Sequence, residues 1–257
     1  MSFIYKKGDI PLIVLSLHGG QKVLDCKKRT NLSNGKQYVV KNDSYTKKIT
    51  LKTYEHLLKF GLNPYLLVND VQRKFVDLNR FISDACNHKC DSCMMQYILF
   101  HEKLESIVLE LINKYGKCFI FDIHGNQHTH NMLQFGFNLT TKQIKNNQLT
   151  DFSFYTHRNA DNKTKEKFLY KELSLSSIFK DLFTNIYPTY NKLDNSYIIN
   201  NNFRYYSGKQ FIVKKYSKIC DVVLVELSPD LRTDKQTPLR LAIGLYDFYN
   251  KIYTKHF

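Results

Sequence analysis

Three short, largely apolar runs constrain this chain more than any other feature. They cover residues 11–17, 118–123 and 222–225. Continuous rather than alternating apolar character suits a strand covered on both faces, as in a parallel sheet packed between helices. Between the runs lie helical patterns. Residues 45–60 carry Ile49, Tyr54, Leu57, Leu58 and Phe60, and residues 95–114 place Leu104, Ile107, Val108, Leu111 and Ile112 on one face. Gly116 follows as a stop signal. Near the C-terminus, Thr237 reads as an N-cap and Pro238 as the first helical residue. Leu241, Leu245, Phe248 and Ile252 form the stripe behind them. Strands alternating with helices predict an α/β chain with helices on both sides of its sheet.

Each run ends in residues that carry chemistry. The first leads into His18-Gly19-Gly20, the second ends Asp122-Ile123-His124-Gly125, and the third runs into Glu226. In an open α/β sheet ligands bind outside the carboxyl ends of the strands. Two imidazoles and a carboxylate brought there from distant parts of the chain suit a catalytic zinc, which needs three protein ligands and one open position. A nearby carboxylate can take the proton of the attacking water. The glycines after each His are expected to let the backbone turn tightly and leave room for a substrate. No His-x-x-Glu or His-x-x-x-His helix supplies two ligands at once, so the third ligand is open, with Asp25 and Asp43 as candidates. The segment from Arg73 to Arg80 adds two Arg, Asp77 and Asn79, and Arg suits bidentate carboxylate recognition.

The ordered set His18-Gly-Gly, Arg73…Asp77-Leu-Asn-Arg80, Asp122-Ile-His-Gly125 and Val225-Glu226…Arg232 resembles the N-formylglutamate amidohydrolase-like proteins, a family related to zinc carboxypeptidases and aspartoacylase-like deacylases. Asp43-Ser-Tyr-Thr46 resembles the family's Asp-x-x-Thr before a helix, and Tyr97…His101 its Tyr-His helix segment. Asp122 to His128 with Leu133…Phe137, and Tyr205-Tyr-Ser-Gly208, resemble two further elements. Leu17 and Lys209 depart from the family's usual Pro and Gly.

The resemblance implies a three-layer α/β/α, zinc-exopeptidase-like fold with a mixed, largely parallel sheet. It also implies one catalytic domain over residues 1–257 and a zinc-dependent hydrolase of an amide bond in an N-acyl amino acid or similar carboxylate-bearing substrate. By the same carry-over, His18, Asp43 and His124 would hold one zinc ion, and Glu226 would act as general base. Arg73 would polarise the scissile carbonyl, Asn79 and Arg80 would bind the substrate carboxylate, and Arg158 and His128 would line the site. Asp122 would support His124 from behind.

Charge and cysteine usage bound the alternatives. The 257 residues hold 38 Lys plus Arg against 23 Asp plus Glu, a net charge of +15. Such a charge invites a nucleic-acid reading, and the Tyr-rich stretch 187–206 could offer a stacking surface. Most Lys are scattered, however, and the densest clusters, Lys27-Lys28-Arg29 and Lys214-Lys215, are short. The partner that the resemblance implies is a small anionic amide or peptide, and neither nucleic acid nor a membrane is expected; the alternatives are a metallopeptidase or deacylase of the same superfamily with another acyl group, or a non-catalytic basic, nucleic-acid-binding protein that keeps the fold. The longest apolar run, residues 10–17, falls short of the roughly 20 residues a spanning helix needs. It lacks a small-residue cleavage site, so no signal peptide is expected. Cys118 and Cys220 sit in or beside apolar runs and read as reduced core residues, which points to a reducing, cytoplasmic setting. Cys86-Asn-His88-Lys-Cys90-Asp-Ser-Cys93 has the residue types of a structural zinc site. It is compact and has no second cluster, so free thiols are expected there rather than a second ion at Cys86, Cys90 and Cys93.

Overall fold

The structure, a computed structural model, describes residues 2–29, 40–87, 89–127, 131–187, 189–191, 196–198 and 211–257. Three strands coincide with the three apolar runs: β2 (Leu12–Ser16), β4 (Phe119–Gly125) and β9 (Asp221–Leu227). Every residue of β2 and β9 is buried, as expected of strands covered on both faces, with the polar Ser16, Asp221 and Glu226 among them. Four further strands, β1 (Phe3–Lys6), β3 (Tyr65–Asn69), β5 (Met132–Gly136) and β6 (Asn185–Tyr187), complete a sheet of order β1-β3-β2-β4-β9-β5-β6. A separate hairpin joins β7 (Thr189–Asn191) to β8 (Ser196–Ile198). The centre, β3-β2-β4-β9, is parallel. β1 is antiparallel to β3, and β5 is antiparallel to β9 but parallel to β6.

Side-chain alternation splits the core into two layers, one on each face. One layer takes Leu12, Val14, Phe119, Phe121, Val223 and Val225 from the sheet. It packs them against Ile49 and Leu57 of α1 (Thr46–Lys59) and Leu241 and Leu245 of the helix Thr237–Phe248. The other takes Ile13, Leu15, Ile120, Val222 and Leu224. These pack against Leu104, Ile107, Val108 and Leu111 of the helix Asp91–Tyr115, and against Ile212, Val213 and Tyr216. The fold is thus a helix–sheet–helix sandwich with a mixed, mostly parallel sheet.

Helix boundaries follow local chemistry. The helix Asp91–Tyr115 ends at Gly116, whose φ of 70° is the left-handed conformation a glycine adopts without steric cost. It begins four residues before its apolar stripe does, because the Cys90 side chain caps it by accepting the Cys93 N–H. The helix Thr237–Phe248 starts one residue earlier than its sequence suggests: Gln236, not Thr237, is the N-cap, Thr237 is the first helical residue and Pro238 the second. Ile252, expected on its stripe, lies in the π-helical turn Tyr249–Tyr253 that continues it.

Two expectations are corrected. Gly19 and Gly20 do not leave room for a substrate. A Cβ on Gly20 would stand 2.4 Å from the Asp70 carbonyl carbon, and one on Gly19 would stand 2.3 Å from the Lys47 nitrogen. These glycines let three chain segments close on one another. The cysteines are not uniformly reduced either. Cys118 and Cys220 are free and buried as expected, but Cys86 and Cys93 form a disulfide, with Cα atoms 5.8 Å apart. The short helix Ile82–Ala85 turns the chain so that these two residues meet. Among the described residues no helix is long and apolar enough to cross a membrane.

Asp221, at the start of β9, is fully buried. Burial pushes its carboxyl up to about 7, although Thr156 N–H and Oγ donate to Oδ1 at 3.0 and 2.9 Å and partly offset the shift. Its folded pKa exceeds the reference 3.8. The associated stability is therefore complete below about pH 4 and lost as pH rises through about 7, at about 1.4 kcal/mol per pH unit between the two. Thermal melts of wild type and Asp221→Asn across this range should converge at low pH. The wild type should fall behind the variant as pH rises, and parallel curves would contradict the assignment.

Candidate metal centre

The carboxyl ends of β2 and β4 deliver the two histidines, and a loop ahead of α1 delivers the carboxylate between them. Asp43 is seated by its own backbone. Its N–H donates to the His18 carbonyl at 3.1 Å, and its carbonyl accepts the Thr46 N–H and the Thr46 hydroxyl, the latter at 2.7 Å. The Asp-x-x-Thr spacing is therefore a turn that launches α1. Asn42 ties the same loop to its neighbours. It donates from Nδ2 to the Gly20 carbonyl at 2.7 Å and accepts the Arg73 N–H on Oδ1 at 2.8 Å.

His18 Nδ1 and His124 Nδ1 each lie 3.3 Å from the same oxygen, Asp43 Oδ2. These three atoms lie within 4.8 Å of one another, and all three residues are buried. Each imidazole is held from behind by a second carboxylate. His18 Nε2 meets Asp77 Oδ1 at 2.7 Å, and His124 Nε2 meets Asp122 Oδ2 at 3.0 Å. Neutral imidazoles with Nε2–H donated outward present the Nδ1 lone pairs inward. Two nitrogen lone pairs and a carboxylate oxygen then face one another, and either shared protons or a cation must lie between them. The two His–Asp separations fit: zinc bonds of 2.0–2.1 Å in a tetrahedron set the ligand atoms about 3.3 Å apart. The donor set, two imidazoles and one carboxylate, is also one that zinc accepts.

Electrostatics are organised around this group. Burial works against charge on His124, but Asp122 and Asp43 together hold its pKa well above the usual value. Burial would raise Asp43, yet hydrogen bonds from His124 and His18 and the charge of Arg73 hold it well below the carboxylate range. In the metal-free chain, protons thus do part of the work an ion would do, and metal binding must displace them. Arg73 spans the site, with Nη1 3.3 Å from Asp43 Oδ1 and Nε 3.0 Å from Asp77 Oδ2.

Glu226 follows from sheet register. It is paired with His124 on β4 and with Gln134 on β5. Its carboxylate is buried, Oε2 has no hydrogen-bond partner, and burial pushes its pKa up to about 8. Arg232 closes the floor. Its Nη1 and Nη2 donate to the carbonyls of Ser44 and Asn126 at 3.0 and 2.8 Å, and it fills the space a Cβ on Gly125 would need.

The structure brings His18, Asp43, His124, Arg73 and Glu226 together. Of the two open carboxylates, Asp43 stands between the histidines, while Asp25 is exposed elsewhere. Arg80 lies at the rim, its side chain 41% exposed and 3.8 Å from Asp77 Oδ2, with its carbonyl held by the Tyr97 hydroxyl at 2.9 Å. Asn79 is buried, and its Oδ1 accepts the Ile212 N–H at 3.0 Å. That oxygen anchors the helix Phe211–Tyr216 and is not presented to a ligand. Arg158 does not join the group. It is exposed next to the turn in which Thr156 binds Asp221, at the opposite end of β9 from Glu226. His128, Tyr205–Gly208 and Lys209, with much of the Tyr-rich stretch, lie outside the described residues.

Sequence reasoning missed two members. Asp77 stood in view beside Arg73 but carried no role, although it orients His18. Arg29 read as part of a short basic cluster, yet it is buried. It donates to the Arg73 carbonyl at 2.8 and 3.1 Å and to the Asp84 carbonyl at 3.2 Å, and its Nη2 lies 3.6 Å from Asp77. Only its position three residues beyond Cys26, at the edge of the polar stretch, marked it, and that is no signal for burial.

No family model matches the chain, and no curated protein matches it by sequence. In fold it is similar to the crystal structure of an N-formylglutamate amidohydrolase from Ralstonia eutropha. The TM-score is 0.56 at 11% identity, over 98% of this chain and 97% of that one. It is likewise similar to the structure of a gene product from Agrobacterium tumefaciens, with a TM-score of 0.52 at 12% identity, over 98% and 95% of the two chains. At these identities the likeness is one of fold.

Zinc titration by calorimetry should distinguish the inner and outer carboxylates. Asp43→Ala should abolish binding at this centre. Asp77→Asn and Asp122→Asn should weaken it about 10- to 100-fold, because the imidazoles lose their orienting acceptors. Binding should weaken as pH falls, since zinc displaces protons from the imidazoles. Unchanged affinity in Asp43→Ala would rule out this centre.

Proposed function

We infer that this chain is a metal-dependent hydrolase that cleaves an amide bond in a small N-acyl amino acid or a similar carboxylate-bearing substrate. The observation that carries this reading is the convergence of His18 Nδ1 and His124 Nδ1 on one Asp43 oxygen, with each outer nitrogen already committed to a carboxylate. That arrangement serves an ion rather than stability alone. The fold likeness to an N-formylglutamate amidohydrolase supports the same reaction class.

A zinc ion held by His18, Asp43 and His124 would supply Lewis acidity for amide cleavage at neutral pH. The remaining roles belong to the chain. Glu226 is buried beside His124, and its raised pKa suits a group that takes a proton from the attacking water and returns it to the leaving amine. Arg73 sets a fixed positive charge beside the centre, where the carbonyl oxygen gains negative charge in the transition state. Arg80, half-exposed at the rim, is the guanidinium offered to the substrate carboxylate. Burial of His18, Asp43, His124 and Glu226 keeps bulk water away from the reacting groups.

The test is steady-state hydrolysis of formyl-, acetyl- and peptidyl-amino acids by the zinc-loaded protein. Glu226→Gln should bind zinc normally but lose at least about 100-fold in kcat. Arg80→Ala should raise KM for carboxylate-bearing substrates more than it lowers kcat. Near wild-type turnover by Glu226→Gln would sink the mechanism. If the metal-loaded wild type hydrolyses no member of the panel, the hydrolase reading itself fails.

A further inference from the structure

Away from the candidate centre, four cysteines converge from two parts of the chain. Cys86, Cys90 and Cys93 come from the turn and first residues of the helix Asp91–Tyr115, and Cys26 comes from the segment before Arg29. Cys86 and Cys93 are bonded to each other. The Cys26 thiol interacts with that of Cys90. Cys90 Sγ accepts the Cys93 backbone N–H at 3.4 Å, which makes the two pairs neighbours, and Cys93 Sγ lies 3.0 Å from the Phe75 carbonyl oxygen. Cys86, Cys90 and Cys93 are all buried in one core layer, and Cys26 packs against it. The sequence offered three thiols in this stretch, and the fold supplies the fourth.

We propose that Cys26, Cys86, Cys90 and Cys93 form a structural zinc site, filled when the Cys86–Cys93 pair is reduced. Four sulfurs and no other ligand make a closed tetrahedral set of the kind zinc occupies in structural sites. The surroundings suit a metal–thiolate group. Cys90 Sγ takes both a backbone N–H and the Ser92 hydroxyl, the latter at 3.2 Å, and it caps the positive end of a 25-residue helix. A zinc tetrathiolate carries a net charge of −2, and Lys27, Lys28 and Lys89 stand exposed beside its ligands in the chain. The chemistry balances. Reduction of the disulfide takes two electrons and two protons from a thiol reductant, which is itself oxidised to a disulfide. Four thiols then release their protons as they bind the ion. Disulfide and zinc are therefore mutually exclusive states of one cluster. The site would also tie the segment bearing Arg29 to the helix that follows Asp84. Arg29 braces Asp77, so the metal would steady the support of His18 from a distance.

The experiment uses the full chain, purified and handled under a thiol reductant without oxygen, in wild type and in His18→Ala/His124→Ala, which removes the other candidate centre. Metal analysis of the double variant should find about one zinc per chain. Adding Cys26→Ser or Cys90→Ser to that background should remove it. Cobalt(II) substitution of wild type gives a second readout that needs no cysteine variant. Thiolate coordination produces strong sulfur-to-cobalt charge-transfer absorption in the near ultraviolet, and a His/Asp centre does not. Zinc retained by the double variant, with charge transfer in the cobalt protein, supports the site whatever becomes of the hydrolase reading. A double variant that takes up no zinc under reductant, or a cobalt protein without sulfur charge transfer, overturns it. A brown protein carrying iron and sulfide overturns the assignment to zinc.

Discussion

One carboxylate oxygen organises this molecule. Asp43 Oδ2 faces two imidazole nitrogens and also accepts the Gly125 N–H at 3.1 Å, while Asp43 Oδ1 faces Arg73. Burying an acid beside two imidazoles is costly unless every partner is charged or bonded. The structure meets that cost with an outer ring: Asp77 behind His18, Asp122 behind His124, and Arg73 joining Asp43 to Asp77. Removing one member leaves another buried and uncompensated. The group therefore behaves as a unit, and the fold around it must be rigid enough to hold five segments in register.

The parallel core of the sheet supplies that rigidity. His18 and His124 leave neighbouring strands at the same end because β2 and β4 run in the same direction, and Glu226 is brought level with His124 by the β4–β9 register. A slip of one residue would turn Glu226 to the opposite face. The close approach of backbone at Gly19 and Gly20 locks the loops on which Asp43 and Arg73 ride. Stability and chemistry thus share the same contacts at the carboxyl end of the sheet. At the amino end Asp221 is held by Thr156, and Arg158 is exposed beside that turn.

Much of this was legible in the chain. Largely apolar runs mark strands buried on both faces, and helical stripes at 3.6-residue spacing mark the covering layers, because burial sets both patterns locally. The histidines and Glu226 stood out because they end those runs. Arg158 misled because a motif resemblance carries no depth, and its segment belongs to the far end of β9. Asn79 shows a role the sequence did not signal: its amide oxygen binds the Ile212 N–H.

What the sequence by itself determined is the set of elements and the residue types at their ends, since periodicity and propensity act over a few residues. The choice of Asp43 over Asp25, the pairing of His18 with Asp77, the burial of Arg29 and the meeting of Cys26 with Cys90 were decided only by tertiary structure. Each joins positions 25 or more residues apart, or depends on which of two chemically equal groups the packing buries. Local sequence exerts no force across such separations, so the contact exists only once the sheet has brought its strand ends together.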